Sequence, residues 1–115
     1  MTKYFSELFS RDKYRCVYCG RDLLVDFETF MLTQEDHLVP EATQGEDTLD
    51  NLVIACYVCN KLKSNFRPDF SLTQSNRMAY INAVRDEIMK RRSKNMREYA
   101  SWTHSEENVK PPAQI

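Results

Sequence analysis

Two Cys-x-x-Cys pairs place the tightest constraint on what this 115-residue chain can fold into. Cys16-Val-Tyr-Cys19 and Cys56-Tyr-Val-Cys59 are separated by residues 20–55. Two residues between cysteines let one tight turn present both sulfurs to the same ion. Two such turns complete the four ligands of a tetrahedral zinc site. A redox dithiol needs one reactive pair in a strand–helix–strand setting, whereas this chain has two pairs and no such pattern. Thiolates fill every ligand position and leave none for water, so zinc at Cys16, Cys19, Cys56 and Cys59 is predicted to be structural. A chain of this length builds one modest core, and a metal clamp replaces core it cannot build.

Metal-binding cysteines of this kind belong in a reducing compartment, where disulfides are rare. The first residues, Met-Thr-Lys-Tyr-Phe-Ser-Glu, lack the apolar stretch of a secretory signal. No apolar run approaches the roughly 18 residues that a membrane span needs. A cytoplasmic protein without membrane contact is therefore expected. The net charge of −1 conceals an asymmetry. Residues 21–60 carry nine acids and one base, while residues 61–100 carry ten bases and four acids. An acidic half that gathers metal ligands beside a basic half that meets phosphate suits a metal-dependent nuclease. Two halves that neutralise each other across a solvated surface account for the same numbers.

Along the chain, Tyr4, Phe5, Leu8 and Phe9 predict a short amphipathic helix over 3–12. Gly20 gives the first cysteine turn the backbone freedom that brings amides toward a thiolate. Residues 27–34 read as a strand running into Asp36, closed by Pro40, and 41–50 as a polar loop around Gly45. Leu52-Val-Ile-Ala55 reads as a second strand. A helix is expected from near Asn60 until Pro68. Ser71-Leu-Thr-Gln74 resembles a capping box for the longest helix. The apolar stripe of that helix is Met78, Ile81, Val84 and Ile88, with Arg77, Arg85, Lys90, Arg91, Arg92 and Lys94 spread along it. Met96, Tyr99 and Trp102 extend the stripe beyond a break near Lys94-Asn95. His104 is expected at the surface, and 105–115, with two prolines and little to bury, as a disordered tail.

Three separated segments then stand in a particular order: Arg11 to Arg21 around the first cysteine pair, Asp36-His37-Leu-Val-Pro40, and Asn51 to Lys63 around the second pair. In this the chain resembles the HNH endonuclease family, over about residues 10 to 65. The resemblance implies an α+β fold. Its centre is a small ββα-metal (His-Me finger) core over about 27–66, with a four-cysteine zinc site. An N-terminal helix and a basic C-terminal helical extension over about 72–103 flank it, all in one domain, 1–104. It also implies a metal-dependent endonuclease hydrolysing DNA phosphodiester bonds to 5′-phosphate and 3′-hydroxyl ends.

By the same resemblance, His37 corresponds to the general base that takes a proton from water, work suited to an imidazole near neutral pH. Asp36 corresponds to a ligand of a catalytic Mg²⁺ or Mn²⁺, ions that prefer hard oxygen donors. Asn51 corresponds to the residue bracing the histidine's loop. Asn60 stands where many members carry a last histidine, making this a His-Asn-Asn variant. It either supplies an amide oxygen to the cation or caps the helix it is expected to open. Lys63, Lys61 and Arg67 are candidate contacts for substrate phosphate, Lys63 being equally readable as solvent-exposed. The expected partner is DNA, duplex and read with little sequence specificity, with a homodimer as one assembly compatible with a double-strand cut. The competing reading is a zinc-stabilised nucleic-acid- or protein-binding module that performs no chemistry.

Overall fold

The computed structural model describes residues 1–103, so the expectations for His104 and the tail fall outside the described residues. The order of elements is helix α1 (Phe5–Arg11), helix α2 (Phe27–Met31), strand β1 (Gln34–His37), strand β2 (Leu52–Ala55), helix α3 (Tyr57–Lys63) and helix α4 (Arg77–Thr103). The α+β class is borne out, with β1 and β2 forming one antiparallel two-stranded sheet. Its register sets Gln34 opposite Ala55, Asp36 opposite Val53 and His37 opposite Leu52.

A sheet of two strands leaves each strand one free edge, and unpaired backbone groups there must find other partners. The outer edge of β2 is closed by the N-terminal segment. Asp12 Oδ2 accepts from the Ile54 amide at 2.9 Å, and Arg11 donates to the carbonyls of Leu49 and Leu52, each at 2.7 Å. The Val17 amide, inside the first cysteine turn, donates to the Ile54 carbonyl at 3.0 Å. All four residues of β2 are buried. They form the centre of a core that takes Leu8 and Phe9 from α1, Tyr18 and Leu23 from the first turn, and Tyr80, Ile81, Val84 and Ile88 from α4.

Several sequence expectations shift. Residues 27–31 are helical rather than extended, because the Asp26 carboxylate accepts from the Thr29 amide at 2.7 Å and caps a helical turn. The strand begins only at Gln34. Helix α3 starts at Tyr57, capped by the Cys56 thiol rather than opened by Asn60. It ends at Ser64, whose φ of 50° breaks the helix before Pro68 is reached. Helix α4 opens at Arg77, later than the Ser71–Gln74 reading. The Thr73 hydroxyl and the Asn76 side chain cap each other's amides reciprocally, at 3.2 and 2.7 Å.

Helix α4 continues without a break at Lys94-Asn95. Met78 faces solvent, 64% exposed, and Tyr80 takes its place in the core. Beyond Ile88 the helix outruns the core, leaving Met96, Tyr99 and Trp102 exposed rather than packed. Part of its basic character serves the fold. Arg85 donates to the carbonyls of Val17 and Tyr18, and Arg91 to those of Leu62 and Lys63 at the end of α3. A cation there satisfies carbonyls that a helix end leaves open.

Candidate metal and catalytic site

The four cysteine sulfurs lie within 4.8 Å of one another. A zinc ion bonded to four sulfurs at about 2.3 Å in a tetrahedron holds them about 3.8 Å apart. The Cys19 and Cys56 sulfurs are 3.8 Å apart, so the quartet fits that ion without rearrangement. In each turn the second cysteine's amide donates back to the first cysteine's sulfur, at 3.5 Å for Cys19 and 3.4 Å for Cys59. Gly20 follows the first turn with a φ of 77°, and its amide reaches the Cys16 carbonyl at 2.8 Å. A side chain at that φ would be strained, which is the freedom expected of this glycine.

The sulfurs join Arg15–Gly20 to the start of α3, and that fixes α3 against β1. Asp36, near the end of β1, is 4% exposed and lies under α3. Its Oδ1 accepts from Asn60 Nδ2 at 3.0 Å and lies 3.3 Å from Lys63 Nζ, and its Oδ2 accepts from the Tyr18 hydroxyl at 2.6 Å. Burial raises the Asp36 carboxyl above its ordinary range, and the Lys63 charge with the hydrogen bonds from Tyr18, Lys63 and Asn60 oppose that rise. Burial, reinforced by the Asp36 charge, lifts the Tyr18 hydroxyl well above its usual value, so it remains a donor.

Asn60 lies in the middle of α3 and turns its amide onto Asp36, so it does not serve as the helix cap. The helix-opening role expected of Asn60 is therefore absent. Adjacent ligands of an octahedral Mg²⁺, with bonds of about 2.1 Å, are about 3.0 Å apart. The Asp36–Asn60 separation matches that spacing, and turning the amide over brings its oxygen to the same place. The donor set fits a hard cation.

His37 closes β1 and stands at the lip of the same cleft, a space of about 270 Å³ lined by Asp36, His37, Glu41, Asn60 and Lys63. Its Nε2 is 2.6 Å from Asp47 Oδ1 and 3.5 Å from Glu41 Oε1. The chain after His37 is held on several sides. Asn51 accepts from the Val39 amide at 2.8 Å and donates to the carbonyls of Val39 and Glu46, each at 3.0 Å. Lys63 Nζ donates to the His37 carbonyl at 2.7 Å, and the Tyr80 hydroxyl to that of Leu38 at 3.0 Å. At Gly45 a β-carbon would fall 1.6 Å from the Val39 carbonyl oxygen, so only glycine lets the loop close.

Asp36, His37 and Asn60 thus line one cleft, Asn51 stands outside it and braces the loop after His37, and the three basic candidates part company. Lys63 is 1% exposed, so the solvent-exposed one of its two readings is corrected: its charge is taken up by Asp36. Lys61 is on another side of α3, its Nζ 5.9 Å from the Tyr57 ring centre. Arg67 is exposed beyond the end of α3 and does not line the cleft. Sequence reasoning overlooked Tyr18, Tyr80, Glu41 and Asp47. Tyr18 lies inside a cysteine pair where nothing marks its hydroxyl, and Asp47 is one acid among several in its loop.

Residues 16–66 match the model of the HNH endonuclease family. The chain is also similar to the CRISPR-associated endonuclease Cas9 of Corynebacterium diphtheriae, 41% identical over 56 residues. That alignment covers 48% of this chain and 5% of the relative, so the chain spans a small fraction of that protein's length. No solved structure matches the chain. The ordered motifs, the cysteine quartet and the two-stranded sheet agree with the family match, and residues 16–66 are a domain of the HNH endonuclease family.

Proposed function

We propose that the chain is a metal-dependent endonuclease that hydrolyses DNA phosphodiester bonds. The observation that carries this reading is the shared cleft. A histidine at the end of β1, ahead of a braced loop, opens onto the same space as a buried carboxylate and an amide set 3.0 Å apart. A scaffold without chemistry has no use for a buried Asp36 supported by Tyr18, Asn60 and Lys63, an arrangement costly to desolvate.

In this reading His37 accepts the proton of the attacking water at Nε2 once the exposed Asp47 carboxylate yields its place. Asp36 and Asn60 would hold Mg²⁺ or Mn²⁺, and the bound ion would supply positive charge against the phosphoryl oxygens and the departing 3′ oxygen. Lys63 and Tyr18 fix the direction of the Asp36 carboxylate. Because Lys63 already balances Asp36, the phosphate itself completes the negative charge that favours the cation, as is common for magnesium sites. Asn51 keeps His37 at the cleft, and the cysteine zinc site keeps α3 beside β1. In-line attack leaves 5′-phosphate and 3′-hydroxyl ends.

The test is nicking of supercoiled plasmid by zinc-loaded protein with Mg²⁺ or Mn²⁺, beside a His37→Ala control, with the ends mapped by ligation. Expected are cutting by the wild type, its loss in the variant, and ends that a ligase reseals. Absence of cutting, or equal cutting by both proteins, sinks the reading.

A further inference from the structure

The largest cavity of the described structure is on another side of α3 from the cleft. It is a groove of about 830 Å³ between α3 and the part of α4 that outruns the core. Tyr57, Val58, Lys61 and Leu62 form its α3 wall, while Asn60 and Lys63, on the same helix, line the catalytic cleft. Helical geometry separates the two sets, because positions i, i+1, i+4 and i+5 share one side and i+3 and i+6 another. The whole α4 wall lies past residue 66, outside the family match.

Its lining chemistry has one sign. Arg21, Lys61, Arg91, Arg92 and Lys94 border it, and among the described residues no carboxylate does. Arg91 is committed to the end of α3 and to Glu87, but the other four form no ion pair among the described residues. Between the cations lie apolar side chains open to solvent: Tyr57 at 44% exposure, with Lys61 Nζ 5.9 Å from its ring centre, Met96 at 57% and Tyr99 at 64%. Trp102, 59% exposed, follows Tyr99 after three residues. Tyr57 and Val58 sit between the cysteines of the second turn, so the zinc site makes that wall rigid.

We propose that this groove holds a single strand of nucleic acid, apart from the strand that enters the catalytic cleft. Cations that track phosphate, interleaved with open aromatic faces, are what unpaired bases need for stacking. A duplex keeps its bases stacked inside and offers such rings nothing but its backbone. The proposal rests on the nuclease reading for the source of that strand. It refines that reading: the substrate is a duplex with an unpaired arm beside the cut, such as a flap, branch or displaced strand.

The test is fluorescence anisotropy of the zinc-loaded full chain, without Mg²⁺, on a labelled oligothymidylate of about 12 nucleotides, a length within the usual site size of such grooves. The same sequence as a duplex, phosphatidylserine vesicles and polyglutamate serve as competitors. Tighter binding of the single strand than of the duplex is expected. Tyr99→Ala and Tyr57→Ala should each weaken single-strand binding by roughly 5- to 100-fold and leave duplex binding unchanged. Arg92→Gln with Lys94→Gln should flatten the salt dependence. Tyr99, Arg92 and Lys94 lie on the projecting part of α4, and circular dichroism checks that the helix persists. Unchanged affinity in a helical Tyr99→Ala protein overturns the proposal, as does preference for duplex, vesicles or polyglutamate. His37→Ala should keep full binding, so a protein that binds the single strand yet never cuts defeats the nuclease reading alone.

Discussion

Lys63 Nζ lies 3.3 Å from Asp36 Oδ1, and the two side chains are 1% and 4% exposed. A buried pair adds little net stability, because both charges give up water, but removing one partner strands the other. Lys63→Met should therefore cost about 3–5 kcal/mol, measured by urea unfolding of the zinc-loaded protein. Replacing both, as Asp36→Leu with Lys63→Met, should recover most of that loss, since neither charge is then buried. A loss below about 1 kcal/mol in the single variant would mean that Lys63 is not the counter-charge of Asp36.

Burial raises Asp36 above its ordinary value of 3.8 in the folded protein. The sign follows from proton linkage. The folded state holds the proton more tightly than the unfolded one, so metal-free stability declines as pH rises from 3.8 through the raised folded value. A divalent cation binds only the ionised carboxylate. Stabilisation by Mg²⁺ should therefore be small below that window and grow as pH rises through it. Thermal melts with and without Mg²⁺, from about pH 4 to about pH 8, measure this, with Asp36→Asn as reference for the acid lability of the zinc thiolates. A Mg²⁺ shift that is independent of pH, or retained in Asp36→Asn, would contradict a role for Asp36 as ligand.

Asn51 is 7% exposed and uses both ends of its amide on the loop that follows His37. Each such hydrogen bond is worth about 1 kcal/mol net, so Asn51→Ala should lose about 2–3 kcal/mol. Asn51→Asp keeps the acceptor for the Val39 amide but sets a carboxylate oxygen against the Val39 and Glu46 carbonyls. It should be at least as damaging as alanine. Thermal melts give the stability, and plasmid nicking should fall with it. An aspartate variant as stable as the wild type would show that the amide's donor side is not in use.

What the sequence disclosed and what it hid divide by the range of the interactions. The cysteine quartet was readable because metal ligation demands fixed residue types at short, fixed spacing. Strand β2 was readable because four consecutive apolar residues between polar flanks have few other uses. Residues 27–31 were misread because their aromatic and β-branched composition suits a strand, while one capping carboxylate at Asp26 decides for helix. Lys63 was misread for a related reason. Its burial depends on a partner 27 positions earlier in the chain, and no local pattern reports that. The single-sidedness of α4 was lost in the same way, since nothing in its sequence marks where the core stops and Met96, Tyr99 and Trp102 begin to face solvent.

Asp47 has the most direct access to His37, with its Oδ1 2.6 Å from Nε2, and it does so from a side chain that is 60% exposed. Under the proposed mechanism that nitrogen would take the proton of the attacking water, so Asp47 and water would compete for it. Glu41, 75% exposed and 3.5 Å away, is a weaker competitor. Neither acid is held by the core, and the Asn51 bridge holds the loop without them. Asp47→Ala should therefore fold with stability within about 0.5 kcal/mol of the wild type, as expected for an exposed position. Its nicking rate at saturating Mg²⁺ should rise by a few-fold, because displacing an exposed charge–imidazole contact costs about 0.2–1 kcal/mol. The measurement is single-turnover cutting of plasmid by both proteins. A tenfold fall in rate with unchanged stability would reverse the assignment, making Asp47 the group that orients His37 rather than one that blocks it.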